Sequence, residues 1–283
     1  MPSLRDIKRR ITSVRSTQKI TRAMKMVAAA KLRRAQEAIV RTRPYAYHMR
    51  TLVNNVAGRA HGVSHPLLRP GGGGRVGVIM ITSDRGLCGG FNANIVNHAL
   101  RAAENELAGR DVAFTVVGRK GVEALRRRNI PIATIHPGHS EDILGLAVTI
   151  IDALVEEYSR GEMDEVYCLY NEFKTAVQQQ VVLERLLPFE LEEQDGGTSL
   201  DYLYEPSQEA VLESLLVQNM HVQMHRILYE SAASEFGARM TAMDSATRNA
   251  GEVIDSLTLQ YNRARQDAIT TELIEVISGA EAL

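Results

Sequence analysis

From Leu4 onward the apolar positions step by three and four, so that Leu4, Ile7, Ile11 and Val14 share one face of a helix. Thr17 and Gln18 then occupy the seam before Ile20, Met24 and Val27 resume it, and Leu32, Ala35 and Ile39 carry it further. Three apolar stretches offset by small register shifts predict a coiled coil that is locally over- or underwound. Ser3 and Asp6 have the spacing of a capping box at its start, the hydroxyl taking the Asp6 amide and the carboxylate reaching back. Pro44 kinks this helix rather than ending it, because Tyr45 to Ala57 is again helical in pattern. Segment 58–74 holds Pro66, Pro70 and four consecutive glycines, and reads as a flexible linker or loop.

The period changes at Arg75. Apolar runs of strand length at 76–82, 112–117, 130–135, 165–171 and 177–186 alternate with helical patterns at 92–107 and 121–128. A third helix, capped by Ser140, runs to about Tyr158. Alternating strands and helices predict a parallel-type, Rossmann-like α/β sheet covered on both faces. An acidic connection, 189–198, leads to Pro206-Ser207, where Ser207 is the N-cap and Glu209 lies in the first turn of a last helix. Leu212, Leu216, Ile227 and Phe236 continue into Ala250, Ile254, Leu257, Tyr261, Ala264 and Ala268, a seam kept narrow by alanine. At ~1.5 Å per residue this helix would extend roughly 110 Å, and the first one up to ~80 Å. Helices of that length draw their stability from packing, so each needs a long partner. The expected fold is therefore α/β: a long antiparallel coiled coil of N- and C-terminal helices (1–57 and 207–283) with an inserted Rossmann-like α/β domain (75–188).

Composition alters this picture in one respect. Net charge is −1 over 283 residues, yet residues 1–50 hold fourteen Lys/Arg against two acids, whereas 206–283 hold five Arg against eleven acids. Opposite charge favours pairing of the two helices, and the surplus of positive charge points outward to an acidic partner. No run approaches a membrane span, and the charged, capped start reads as mature protein rather than a targeting peptide. Cys88 and Cys168 lack metal spacing and read as reduced cytosolic thiols.

Candidate chemistry is sparse. Ser83-Asp84-Arg85-Gly86-Leu87-Cys88-Gly89-Gly90-Phe91-Asn92 follows a strand and precedes a helix, where phosphate loops sit, but lacks the phosphate-loop and dinucleotide glycine spacings. It reads as a tight turn with a protein-facing tip. Cys88 has no histidine near it in sequence to activate a nucleophile. His221 and His225 have zinc-compatible spacing, but Val222 stands where a metalloprotease needs glutamate. His136 and His139 share a loop without a ligand set. The basic first helix is compatible with nucleic acid, but carries no aromatic residue before Tyr45 and must bury its seam on another helix. Two rival readings follow: a coiled-coil nucleic-acid-binding protein, and an α/β nucleotide-binding enzyme.

Three blocks, together spanning essentially the whole chain, resemble the γ subunits of F-type ATP synthases. They are Ile7–Ile11 with Thr17–Ala28; Ser83–Asn92; and Met240–Met243 with Ala246, Thr247, Asn249, Ala250, Leu257, Tyr261–Gln266, Ile269, Thr270, Glu272, Leu273, Glu275, Gly279 and Ala280. The segment that carries thiol-switch regulation in chloroplast members has no counterpart here. The resemblance implies a single-copy, non-catalytic rotor subunit with no cofactor and no nucleic acid. Its terminal helices form an axle inside a collar of three α and three β subunits. The α/β insert joins ε and stands on the membrane ring of c subunits, so that proton flow turns the axle. A peripheral position on the cytoplasmic face of the bacterial plasma membrane is implied. Residue by residue, Met24 and Lys25 match positions facing an acidic β loop, and Arg265, Gln266 and Thr270 match positions gripping a β loop. Arg9 and Arg10 are further expected contacts, and Tyr204 and Glu205 match the foot near the c ring. Met24 and Arg265 are expected at similar height in the antiparallel pair. Ile274, Val276, Ile277, Ala282 and Leu283 would turn in a bearing.

Overall fold

A computed structural model describes residues 3–59, 65–69, 74–138, 142–190 and 202–281. Ser140, most of segment 58–74, the acidic connection from residue 191 and the last two residues, Ala282 and Leu283, lie outside these. The chain forms two compact units, residues 29–238 and residues 1–28 with 239–283. Helices α1 (Leu4–Arg59) and α5 (Gln208–Glu281) contribute to both.

The first unit holds a five-stranded sheet in the order β3-β2-β1-β4-β5. Its strands are β1 (Arg75–Ile81), β2 (Asp111–Val117), β3 (Ile132–His136), β4 (Glu165–Phe173) and β5 (Gln179–Leu187). The first four are parallel, but β5 pairs antiparallel with β4, so the sheet is mixed where the alternation predicted a parallel type. The reason is local: only Lys174 to Gln178 separates β4 from β5, too short for a crossover, so the chain must turn back as a hairpin. Both faces are covered. Helices α2 (Phe91–Arg101) and α3 (Arg119–Arg126) bury Ile95, Val96, Ala99, Val122 and Leu125 on one face. Helix α4 (Ile143–Ser159) packs on the other with Val53, Val56 and Ala57 of α1 and Leu212, Leu216, Met224 and Ile227 of α5. The roots of both terminal helices are thus part of the sheet's core. Asp142, not Ser140, caps α4, its carboxylate accepting from the Gly145 amide at 2.8 Å. Within the expected linker, Pro66–Leu68 is a 3-10 turn capped by His65; Leu67 is buried and its carbonyl accepts from Phe189 N–H at 2.8 Å. That stretch is anchored rather than free. Tyr158, buried beneath it, donates to the Arg69 carbonyl at 2.7 Å, and burial pushes its hydroxyl up to about 12.

A buried polar cluster ties α5 and α1 to the hairpin. Arg226 donates to both oxygens of Glu184 on β5 at 2.8 and 2.9 Å, and to the Tyr170 hydroxyl on β4 at 3.2 Å. It also meets Glu230 on its own helix, which in turn is reached by Arg43 of α1, both at 3.4 Å. Arg43 also donates to the Phe173 carbonyl, and the Ser234 hydroxyl to the Asn171 carbonyl. Burial alone would lower the Arg226 pKa, but Glu184, Tyr170 and Glu230 outweigh it and hold the guanidinium charged; burial raises the Tyr170 hydroxyl. Gly237 completes the docking: a Cβ there would stand 3.0 Å from the Ala176 carbonyl oxygen at the hairpin tip.

In the second unit the two chain ends lie side by side. Thr21 and Thr247 hydroxyls are 2.8 Å apart, Lys25 Nζ is 2.6 Å from Asp244, and Ile7 and Ile11 pack with Ile254, Leu257, Tyr261 and Ala264. Indices fall on α5 as they rise on α1, which makes the pair antiparallel. Ser3 caps α1 as expected, accepting from the Asp6 amide at 3.2 Å while its hydroxyl donates to the Asp6 carboxylate at 2.8 Å. That bond, with Arg9 and Arg10 nearby, holds the Asp6 carboxyl below its usual range.

The seam differs from its sequence reading. Along α1 the seam is lined by Ile7, Ile11, Val14, Gln18, Thr21, Lys25 and Ala28, each buried or half-buried. The four-three alternation never slips, and the same spacing runs on through Leu32, Ala35, Ile39, Ala46, Met49, Val53 and Val56. The expected register shifts are absent; instead three successive seam positions are polar. Ile20 and Val27, expected inside, are exposed, while Thr21 is buried. Each polar seam residue has a cross-helix partner: Gln18 donates to the Thr247 carbonyl at 3.4 Å, Thr21 meets Thr247, and Lys25 meets Asp244. An apolar count sees Ile20 and Val27; hydrogen bonding decides which residues face inward.

Candidate functional site

The strand-to-helix loop after β1 is the place for a phosphate in an open α/β sheet, at the switch between β1 and its neighbours. Here the protein's own groups occupy the donors. Asp84 Oδ1 accepts from the Arg119 amide at 3.0 Å and the Gly138 amide at 3.2 Å, and Thr82 Oγ1 accepts from the Gly121 amide at 2.9 Å. Ser83 and Asn92 bond to one another, and the Asn92 amide donates to the buried Cys88 sulfur at 3.1 Å. Gly118 makes this closeness possible: its φ is +94°, and a Cβ would lie 2.2 Å from the Thr82 carbonyl oxygen. A carboxylate seated on these amides repels a phosphate, so the loop is built as a turn. Leu87 and Arg85 remain exposed at its tip. Neither free cysteine is accessible, and burial raises the Cys168 thiol well above its normal range. His221 pairs with Asp152 at 2.7 Å, and His225 stacks edge-on against Tyr229. Among the described residues no three His, Cys, Asp or Glu side chains gather to hold a metal, and no helix is long and apolar enough to cross a membrane.

The expected contact residues fall on two levels of the helix pair, not one. Lys25 lies opposite Asp244, whereas Tyr261 and Ala264 pack beside Ile7. Arg265 is therefore level with the start of α1, about 30 Å along the axis from Met24 at ~1.5 Å per residue. The expectation of similar height was wrong because it supposed a different stagger of the two helices. Met24 and Lys25 are half-buried, and Lys25 already has a carboxylate of its own chain, whose pKa it lowers. Arg9, its guanidinium 3.2 Å from Asp6, and Arg10 are exposed between the two levels. Arg265, Gln266 and Thr270 are exposed on one side of α5, with the Thr270 hydroxyl turned back to the Gln266 carbonyl at 2.9 Å. Since α1 begins at Leu4, α5 beyond about Ala264 has no helix beside it among the described residues of this unit. There Ile269, Leu273, Ile274, Val276 and Ile277 are 45–70% exposed.

At the other named surface, Tyr204 packs against the sheet's core and stands edge-on to Tyr202, whose hydroxyl accepts from Asn55 at 3.2 Å. Leu203 between them is fully exposed, and Glu205 beyond is exposed. The outward residues of this short stretch are Leu203 and Glu205; Tyr204 serves to hold them. Neither Asp244 nor Leu203 was singled out in the sequence, and Thr247 entered only as part of the resemblance. Continuing the four-three spacing through Gln18 and Thr21 would have shown only that polar residues of α5 must answer them; nothing in the sequence singles out Leu203.

Paired terminal helices and a mixed α/β sheet that expose apolar and cationic surfaces define a protein of the stalk type, built for contact with other chains. A family model described as ATP synthase matches residues 3–283. The chain is 51% identical to the ATP synthase gamma chain of Anaeromyxobacter sp. (strain Fw109-5) and 47% identical to that of Heliobacterium modesticaldum, over the full length of each. It is similar to a chain of the central stalk and c-ring structure of Tetrahymena thermophila mitochondrial ATP synthase. There the identity is 27% and the TM-score 0.61, covering 80% of this chain and 99% of that one. A chain of the Euglena gracilis mitochondrial ATP synthase in rotational state 3 shares the fold at 18% identity and TM-score 0.69, covering 99% and 94%. The chain belongs to the ATP synthase gamma-chain family and is a central-stalk, or rotor, subunit of that complex. The nucleic-acid reading finds no support in these relatives.

Proposed function

We infer that this chain is the single axle of a proton-driven rotary ATP synthase, set inside three α and three β subunits. Its sheet-bearing unit would meet ε and the c ring, at the cytoplasmic face of the bacterial plasma membrane. The observation that carries this most directly is the end of α5. A helix tip with large apolar side chains exposed, and no neighbour beside it among the described residues, is costly in water, but suits a bearing, because such side chains form few hydrogen bonds that would oppose sliding. Arg265, Gln266 and Thr270, just before that tip, are placed to engage a loop of the collar, and Arg9 and Arg10 lie within reach of acidic collar residues. Leu203 and Glu205, held by Tyr204, are the surface offered to the ring.

The chain itself performs no bond chemistry in this reading. Its faces differ, so each β subunit meets a different surface of the axle and is biased toward a different conformation. A rod can shift those populations only by as much as its contacts differ between them. The test is reconstitution of the full chain with α, β and ε. Stoichiometric co-purification and axle-dependent coupling are expected. Salt-dependent DNA binding, without a stable complex with the ATPase subunits, would count for the rival instead.

A further inference from the structure

The sheet-bearing unit carries different chemistry at its two ends. Strands β1 to β4 run one way, and α5 runs with them, meeting Tyr170 at Arg226, Asn171 at Ser234 and the hairpin tip at Gly237. The start of α5, with Leu203 and Glu205 before it, therefore lies at the end where the strands begin. Within the insert, the exposed large apolar side chains gather at the opposite end: Leu87 after β1, Ile135 late in β3, Leu144 in the first turn of α4 and Val177 at the hairpin tip. Where the strands begin, the surface of α3 is cationic instead. This helix closes on Arg126, followed by Arg127 and Arg128, and all three are exposed. Residues 119–128 hold five cations and one acid. That acid, Glu123, is already shared by Lys120 at 2.7 Å and Arg127 at 3.7 Å. Among the described residues Arg126 and Arg128 have no ion-pair partner; Arg128 donates to the Ala124 carbonyl of its own helix at 3.1 Å. One cation near a helix C-terminus answers the helix dipole, but three consecutive ones exceed what the fold requires.

We propose that Arg126, Arg127 and Arg128 make an electrostatic contact with the anionic headgroups of the membrane around the c ring. This rests on the stalk reading, which turns the end bearing Leu203 and Glu205 toward the membrane. Charge without apolar company selects the partner. A protein interface has an apolar core, and no large apolar side chain is exposed among these arginines. A single-stranded nucleic acid stacks on aromatic rings, and α3 has none. A fluid headgroup layer attracts cations without fixing them in one place, so the surface can sweep across it as the chain turns. The attraction fades within a Debye length, about 8–10 Å, which confines it to this end of the unit. On the opposite face of the sheet the same end carries Glu157, Glu209 and Glu213, which the membrane repels, so the α3 side leads.

The test uses the assembled complex of this chain with α, β and ε, in which the collar covers the cations of the axle. Vesicles are phosphatidylcholine alone or with phosphatidylglycerol. Cosedimentation is expected with the anionic vesicles only, and should fall as salt is raised. Arg126→Gln/Arg127→Gln/Arg128→Gln should weaken it by about 100-fold, at roughly fivefold per cation. Arg126→Lys/Arg127→Lys/Arg128→Lys keeps the charge and should bind as the parent does. Both variants are compared as assembled complexes, so that misfolding cannot imitate a loss of binding. Equal binding by the parent and the glutamine variant, or none beyond that to phosphatidylcholine, overturns this inference and leaves the stalk reading intact. Loss of binding in the lysine variant would reveal a site that reads guanidinium geometry, and overturns it too. A parent chain that forms no complex with α and β overturns both readings.

Discussion

Replacing Arg226 with alanine is expected to lower the stability of the full chain by about 3–5 kcal/mol, the usual cost of leaving buried charge without its partner. Arg226 is 16% exposed in its side chain and Glu230 only 2%, with Glu184 at 22%. Removing the guanidinium leaves Glu184 with only the Tyr170 hydroxyl, and Glu230 with only the longer contact to Arg43, in a site that water scarcely reaches. One Glu230 oxygen already has no hydrogen-bond partner among the described residues, so the site has little capacity to compensate. The loss would fall where α5 meets the hairpin, and the roots of both long helices rest on that sheet. Urea denaturation checks the magnitude. The paired replacement Arg226→Met/Glu184→Met should recover much of the loss, because it removes opposite charges together and leaves apolar bulk in their place. Equal destabilisation by the two variants would mean that packing, not charge, holds this junction.

A second large effect is expected where the fold has nothing at stake. Among the described residues neither the Arg265 nor the Gln266 side chain bonds within its own chain, and both are exposed. Arg265→Ala/Gln266→Ala should therefore shift the urea midpoint of the isolated chain very little, within about 0.5 kcal/mol. If both side chains grip a collar loop, the same change should weaken coupling by about 30-fold, the equivalent of losing a contact worth about 2 kcal/mol at an interface hot spot. ATP synthesis in reconstituted vesicles reads the second quantity. A normal synthesis rate would show that the grip lies elsewhere on α5.

The long helices, their caps and their antiparallel pairing were legible because each leaves a periodic or local signal. Ser3, Ser207 and the four-three spacing needed no knowledge of the rest of the fold. The stagger was not legible. It depends on which polar residues of α1 meet which of α5, and Gln18, Thr21 and Lys25 looked like interruptions until Thr247 and Asp244 stood opposite them. The same blindness turned Ile20 and Val27 inward, because hydrophobicity alone cannot distinguish a residue buried in its own chain from one kept for another. The reversal of β5 was hidden for a different reason. Strand direction is set by the length of a connection, and the apolar run gave no sharp boundary for the turn at Lys174–Gln178. At the loop after β1, the missing glycine spacing argued against nucleotide, and the seating of Asp84 on two amides supplies the physical reason. Tyr204 was carried over by resemblance as an outward residue; its ring instead found the core, and left Leu203 and Glu205 outside.

The central claim is that this chain turns as an axle, and one measurement addresses it directly. Val177, at the exposed hairpin tip, is replaced by cysteine and carries a bead, while the β subunits of the assembled complex are fixed to a surface. During ATP hydrolysis the bead should rotate continuously in one direction, and stop when nucleotide is withdrawn. A complex that hydrolyses ATP while the bead only fluctuates about a fixed angle would contradict the account.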